Sequence, residues 1–216
     1  MKKAPARNEG DAKARLLKAA WELFARKGVE YVSLRALTAR AKVNVAAVSY
    51  HFGSRAALEE AVFDVVAERV NAERVAGLEQ LLEEARSGGR RPDAERIVDC
   101  FVRPYLDPAH PDGLLLAQLV LKHRLAPTAM TRRLVRRHFD PLARRFVAAL
   151  AEALPEVEST ELYWRYMFMS VTAVLMATDR RKANRVAAIS DHAVDAADPV
   201  ALRAAMTRFL VAGFAA

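Results

Sequence analysis

Between residues 12 and 27 apolar side chains return at Leu16, Ala20, Leu23 and Phe24, with Leu17 widening the stripe and the stem of Lys27 extending it. That rhythm predicts one buried face of an amphipathic helix. Gly28 follows at once, and a glycine just past a periodic run predicts a left-handed C-terminal cap. Ser33 is placed to cap a short second helix whose inner side is Leu34, Leu37 and Ala41. Asn44 is placed to cap a third, with Val48 and Phe52 turned inward. Only Lys42 and Val43 separate these two helices, so the connection is a tight turn. Three short helices with a tight turn before the third describe a helix-turn-helix unit.

Ser54 reads as the next N-cap, opening a long helix over about 55–85 along Leu58, Ala61, Val62, Val65, Val66, Val70 and Leu78. SGGRRP, residues 87–92, is the clearest break, with Pro92 suited to the first turn of the following helix. That helix runs to about Leu106, kinked at Pro104, and DPAHPDG at 107–113 forms the next loop. Further helices are expected at 114–124, 129–153 (bent by Pro141), 159–179 and 199–214. Period-two alternation is not sustained in any segment, and no repeat emerges. The expected fold is all-α with about nine helices. A basic flexible tail (1–11) precedes the helix-turn-helix domain (12–53), which the long helix joins to a helical body (54–216).

Residues 162–175 are apolar nearly all round, which demands contacts on two sides. Trp164, Phe168, Val171 and Leu175 belong to this segment. Leu202, Met206, Phe209, Leu210 and Phe214 form a second broad stripe near the C-terminus. A homodimer packing these helices across a two-fold axis is the economical solution; a central helix wholly inside one protomer is the alternative.

Charge alters this picture most. Of the net +8, residues 1–53 carry +7, with eleven Lys and Arg against four acids, and the remaining residues nearly balance. A polyanion-binding head on a near-neutral body is the direct reading, and a solvated surface with a basic tail the bland one. An apolar fraction of 53% with few Gly and Pro suits a folded, helix-rich chain. The single cysteine, Cys100, rules out an intrachain disulfide and suits a reducing compartment, with burial its expected fate. The N-terminus lacks an apolar signal core, and no apolar run approaches the roughly 20 residues of a membrane span. A cytoplasmic protein without membrane contact is expected.

Tyr50-His51 could in principle serve a metal, a reaction or a phosphate. No second ligand stands at i+3 or i+4 from His51, where Arg55 occupies i+4, and His110, His123, His138 and His192 are scattered. Neither a nucleophile elbow nor a glycine-rich phosphate loop occurs. No enzyme activity, metal or cofactor is therefore expected. Arg165, amid Trp164, Tyr166, Met167 and Phe168, would be costly to bury alone, and Glu161 one turn earlier is its expected partner.

The capped helix ending at Gly28, followed by SLRALTARAKVNVAAVSYHFGSRAAL, resembles the DNA-binding head of the TetR family of bacterial transcription regulators over residues 12–63. More weakly, residues 114–214, above all LPEVESTELYWRYMFM, are similar to ligand-binding domains of a subgroup that includes regulators of fatty-acid degradation. The resemblance implies a homodimeric repressor on a palindromic operator of double-stranded DNA, released when a small molecule binds residues 54–216, the effector and dimerisation domain.

Groove entry by the N-terminal end of a recognition helix requires short side chains there, which Val45, Ala46, Ala47 and Ser49 provide behind Asn44. The Tyr50 hydroxyl, His51, Ser33 at a helix N-terminus and Arg55 would hold phosphates, with Lys42 adding charge attraction. Three positions depart from the family's habit. Lys42 stands where Gly is common and is therefore expected in a left-handed conformation; Val45 replaces a frequent Lys, and Ser49 a frequent aromatic. The operator sequence does not transfer across such changes.

Apolar effector walls are expected from Phe101, Tyr105, Leu115, Leu119, Val120, Phe146, Tyr163 and Met167. They favour an apolar or amphipathic ligand, an acid or its thioester, and Arg103, His123 or Arg124 could meet an acid group. Two other classes remain open: a helical interaction protein touching nucleic acid nonspecifically, and an all-α enzyme.

Overall fold

Most helices in this chain start where a side chain can accept an orphan amide. The computed structural model describes residues 6–182 and 184–215; residues 1–5 of the expected tail lie outside them. Among the described residues there are eleven α-helices, one 3-10 turn at Val29–Tyr31 and no strand. The helices are α1 (Ala6–Lys27), α2 (Leu34–Ala41), α3 (Ala46–Phe52), α4 (Arg55–Ser87), α5 (Ala94–Leu106), α6 (Pro111–Leu125), α7 (Ala129–His138), α8 (Asp140–Ala153), α9 (Ser159–Lys182), α10 (Arg185–Ile189) and α11 (Pro199–Ala215). Ser33 Oγ accepts the Ala36 amide at 3.2 Å, Asn44 Oδ1 that of Ala46 at 3.0 Å, and Ser54 Oγ that of Ala57 at 3.1 Å. Each satisfies a group that the helix itself cannot.

Several boundaries differ from the sequence pattern, each for a local reason. The helix α1 begins at Ala6, because its polar first turns carry no apolar rhythm to announce them. Gly28 takes φ 87° and ψ 148°, a glycine-only conformation that leads into the 3-10 turn instead of a left-handed cap. Pro92 precedes α5, whose N-cap is Asp93, accepting the Glu95 amide at 2.8 Å. The helix expected at 129–153 is two, α7 and α8, meeting at Phe139. Pro141 lacks an amide and its ring would collide with the carbonyl one turn back, so the chain breaks there. The short α10 is the other addition, too brief to show a period.

The chain divides into two compact units, one to Val66 and one from Ala67. In the first, α1 packs on α2 and α3 around Leu16, Ala20, Phe24, Leu37, Val48 and Leu58, all buried. Arg40 on α2 reaches Glu22 on α1 at 2.6 Å. Lys42 is left-handed, φ 55° and ψ 50°, with its amide on the end of α2, as its place in the turn requires.

In the second unit α5 is the hub, packed by α6, α8, α9 and α11. From Ile97 to Leu106 only Asp99 and Arg103 escape burial, and both are paired, Asp99 with Arg203 at 2.5 and 2.7 Å and Arg103 with Glu73 at 3.8 Å. Arg165 does meet Glu161, at 3.0 Å, and also donates to the Phe214 carbonyl at 2.7 Å, a cation at the C-terminal end of α11. The approach of α6 to α5 is closest at Gly113, where a Cβ would lie 1.5 Å from the Pro104 carbonyl oxygen. Gly113→Ala is therefore expected to cost about 3 kcal/mol, read as a lower unfolding temperature; an unchanged one would contradict this contact.

Candidate nucleic-acid interface and ligand core

The exposed face of α3 starts before the helix proper. Val45 already has helical dihedrals, so Asn44 is the true cap, and Asn44, Val45, Ala46 and Ser49 are all exposed beside the exposed Lys42 and Ser33. Ala47 is half-buried, and Val48 is buried and holds the helix to the core. Behind the Asn44 cap, Val45, Ala46, Ala47 and Ser49 give the helix a start with no side chain longer than valine. Tyr50 is 70% exposed, and its ring meets the half-buried His51 edge-on at 4.9 Å. Phe52, expected to turn inward, is half-buried with the Lys13 ammonium 5.7 Å from its ring centre.

Arg55, expected to hold a phosphate, is engaged by the chain's own acceptors. Its Nε donates to Glu59 at 2.8 Å, Nη2 to the Val29 carbonyl at 2.8 Å, and Nη1 to the Val32 carbonyl. The guanidinium thus staples the 3-10 segment to the start of α4, and a phosphate would have to compete with three established acceptors.

The late apolar residues divide by side of helix. Leu202, Met206, Leu210 and Phe214 are buried within the chain on α11, the helix that packs most extensively on α5, so they have no surface left to offer a partner. Phe209 is 70% exposed, Trp164 and Phe168 are exposed and stacked, Leu175 is exposed and Val171 half-buried. Tyr163 and Met167, expected as effector walls, are exposed on α9 with them. That correction follows from the turn of α9: Leu162, Tyr166, Met169 and Ala173 take its inner side.

Of the remaining expected wall residues, Phe101, Tyr105, Phe146, Leu115 and Leu119 are buried and Val120 half-buried. Phe101 is edge-on to Phe146 at 5.3 Å, to Tyr166 at 5.4 Å and to Tyr105 at 6.2 Å. Burial pushes the Tyr166 phenol well above its ordinary range, and the Cys100 thiol upward too. The expected acid-binding cations are placed differently from one another. Arg103 is turned to Glu73, and Arg124 is exposed with Nη2 3.9 Å from Met167 Sδ, while His123 is half-buried on α6. Arg103 borders a solvent-open groove of about 1160 Å3 between α4, α5 and α11, whose Arg96, Asp99 and Arg203 are ion-paired.

The cation at the aromatic cluster is Arg74, which the apolar pattern passes over between Val70 and Leu78. It is 1% exposed, on the buried α4 stripe of Val70, Leu78, Leu81 and Ala85. Nε donates to the Phe101 carbonyl at 2.9 Å and Nη1 to Asn71 Oδ1 at 3.1 Å, with Asn71 held in turn by the His138 carbonyl at 2.9 Å. The Phe101 and Tyr105 rings lie 4.6 and 4.1 Å from Cζ. Nη2 has no partner. A buried charge lacking its counter-charge costs about 3–5 kcal/mol. The legible signal was a lone arginine on a stripe of valine, leucine and alanine.

Among the described residues no three His, Cys, Asp or Glu side chains gather as a metal site would require, and no helix is long and apolar enough to cross a membrane. No curated protein matches the chain significantly in sequence. The family of bacterial regulatory proteins of tetR type matches residues 16–62, and the tetracyclin repressor-like C-terminal domain matches residues 99–213. Similar solved structures include a transcriptional regulator from Rhodococcus sp. Rha1, with a TM-score of 0.64 and 17% identity over 93% of this chain and 94% of that one. The fatty acid degradation regulator FadR from Bacillus halodurans gives 0.59 and 14% over 97% and 96%. The multidrug binding protein EbrR complexed with imidazole gives 0.57 and 19% over 95% of each. Members of this family are DNA-binding transcription regulators with a helical ligand-binding C-terminal domain, not enzymes. With its N-terminal reader and more than half its length matched in the C-terminal domain, the chain belongs to the TetR family of bacterial regulatory proteins.

Proposed function

We propose that the chain is a ligand-responsive repressor that acts in the cytoplasm, binding a palindromic operator as a homodimer. A small apolar or amphipathic effector in the helical body would release it. The observation that carries this reading is the N-terminal end of α3, exposed, capped by Asn44 and free of bulky side chains, as major-groove entry requires. Val45, Ala46 and Ala47 suit thymine methyls and Ser49 a base edge, while Tyr50, His51, Ser33 and Lys42 suit phosphates. Two protomers reading two half-sites need a shared interface, and the exposed Trp164, Phe168, Leu175 and Phe209 supply an apolar one. Relatives described as a multidrug binding protein and a fatty acid degradation regulator agree with a small organic effector. Release follows if the effector favours a form whose recognition helices no longer match the half-site spacing.

The deciding experiment measures binding to the DNA flanking the chain's own gene against random duplex. Specific binding is expected, with a slope against log salt of about −0.9 per phosphate neutralised. Equal affinity for both duplexes would instead favour a helical interaction protein with nonspecific contacts.

Tyr50→Ala is expected to weaken specific and random duplex alike, and Ser49→Ala to change preference at one or two base pairs by about 1–3 kcal/mol. An unaltered affinity in Tyr50→Ala removes the phosphate role. Arg55→Ala should instead lower thermal stability by about 2 kcal/mol, since Glu59 and two carbonyls lose their donor; a fully stable variant defective only in DNA binding would restore Arg55 as a phosphate ligand. Phe209→Glu with Trp164→Glu should sediment as a monomer, and persistent dimers would place the interface elsewhere.

A further inference from the structure

We propose that Arg74 is the seat of an acid group on the effector, so that the ligand is a free monoanionic carboxylate with an apolar body, not its neutral thioester. The proposal rests on the ligand-responsive reading above and deepens it. Three observations converge on one place. The guanidinium is 1% exposed and no carboxylate of the chain meets it among the described residues. Its Nη2 is buried and unpartnered, while Nε and Nη1 are held by the Phe101 carbonyl and by Asn71. The nitrogen is therefore fixed in direction by its own neighbours, a preorganised donor awaiting an acceptor.

The surroundings define what the acceptor is attached to. Phe101 and Tyr105 flank the guanidinium, and Phe146 and Tyr166 extend the apolar wall from Phe101. Tyr105 and Tyr166 are both buried residues of this cluster, and a phenol can donate to a carboxylate oxygen. A single fixed positive charge balances a monoanion; a phosphate or a nucleotide would bring more charge than this apolar site compensates. A thioester carbonyl would accept a hydrogen bond but leave the buried charge without a counter-ion.

The test uses the full-length chain as wild type, Arg74→Met and Arg74→Lys, in thermal-shift titrations. The probes are octanoate and 4-phenylbutyrate, each against the alcohol of the same skeleton and the N-acetylcysteamine thioester of the same acid. A ligand of the folded state raises the unfolding temperature by mass action. At least one acid is expected to raise that of the wild type, and to do so more than its alcohol or thioester at equal concentration. In Arg74→Met the apparent affinity for the acid should fall about tenfold or more, to the level of the alcohol. The ligand-free unfolding temperature of that variant should hold or rise, because an uncompensated buried charge has gone. Arg74→Lys, which keeps the charge but not the fork, should retain a weakened acid response.

The proposal is overturned if neither acid stabilises the wild type, if acid and alcohol act equally on it, or if Arg74→Met keeps the full acid response. Should Arg74→Met fail to fold, the acid-against-alcohol contrast in the wild type and the Arg74→Lys titration decide the matter alone. Ligand-free binding to operator DNA is measured in parallel. Its absence in the wild type would sink the repressor reading and leave the Arg74 result standing, so the two failures are distinct.

Discussion

Burial of α5 is the constraint on which the second unit depends. Between Ile97 and Leu106 almost every side chain is apolar and screened from water, so four other helices must close around it. The two positions that reach solvent, Asp99 and Arg103, are ion-paired with neighbouring elements. Gly113 lets α6 come close enough to seal one side, and α11 covers another with the inner stripe of Leu202, Met206 and Leu210. The same wrapping brings Phe101, Tyr105, Phe146 and Tyr166 together and lays Arg74 of α4 against them. Core and candidate ligand site are thus one set of contacts, and one cation in it lacks a counter-charge.

The first unit follows a different logic. Its core needs only one side of each short helix, which leaves the opposite side of α3 exposed, with small residues at its N-terminal end and Tyr50 beyond them. Its connections are held by polar devices: the side-chain caps at Ser33, Asn44 and Ser54, the left-handed Lys42, and the Arg55 clamp on Val29, Val32 and Glu59. A basic residue beside a DNA-reading helix is readily taken for a phosphate ligand. Arg55 shows that the same charge can be consumed by backbone carbonyls, which only the folded chain brings within reach.

Local rules made much of this legible. Caps, glycines and the 3.6-residue rhythm predict the helix-turn-helix unit and most later helices, because those signals act between residues a few positions apart. The sequence predicts only a bend at Pro141, because a proline's missing amide is visible in sequence, whereas the cost of continuing the helix past it depends on local geometry. Short or polar helical stretches, such as α10 and the start of α1, carry no period and so give no signal in the sequence.

What the sequence by itself determined was the all-α class, the basic helix-turn-helix head with small residues at the start of its third helix, and the set of apolar residues available to bury. Each is a property of composition or of neighbours along the chain. Which apolar residues face inward was decided by tertiary structure, because every helix has two sides and only packing chooses between them. Tyr163 and Met167 therefore moved from the expected ligand wall to an exposed face, and Met206 and Phe214 from an expected interface into the core. Arg74 is the sharpest case: its position in the sequence is one charge on an apolar stripe, and its isolation exists only once Phe101 and Tyr105 close over it.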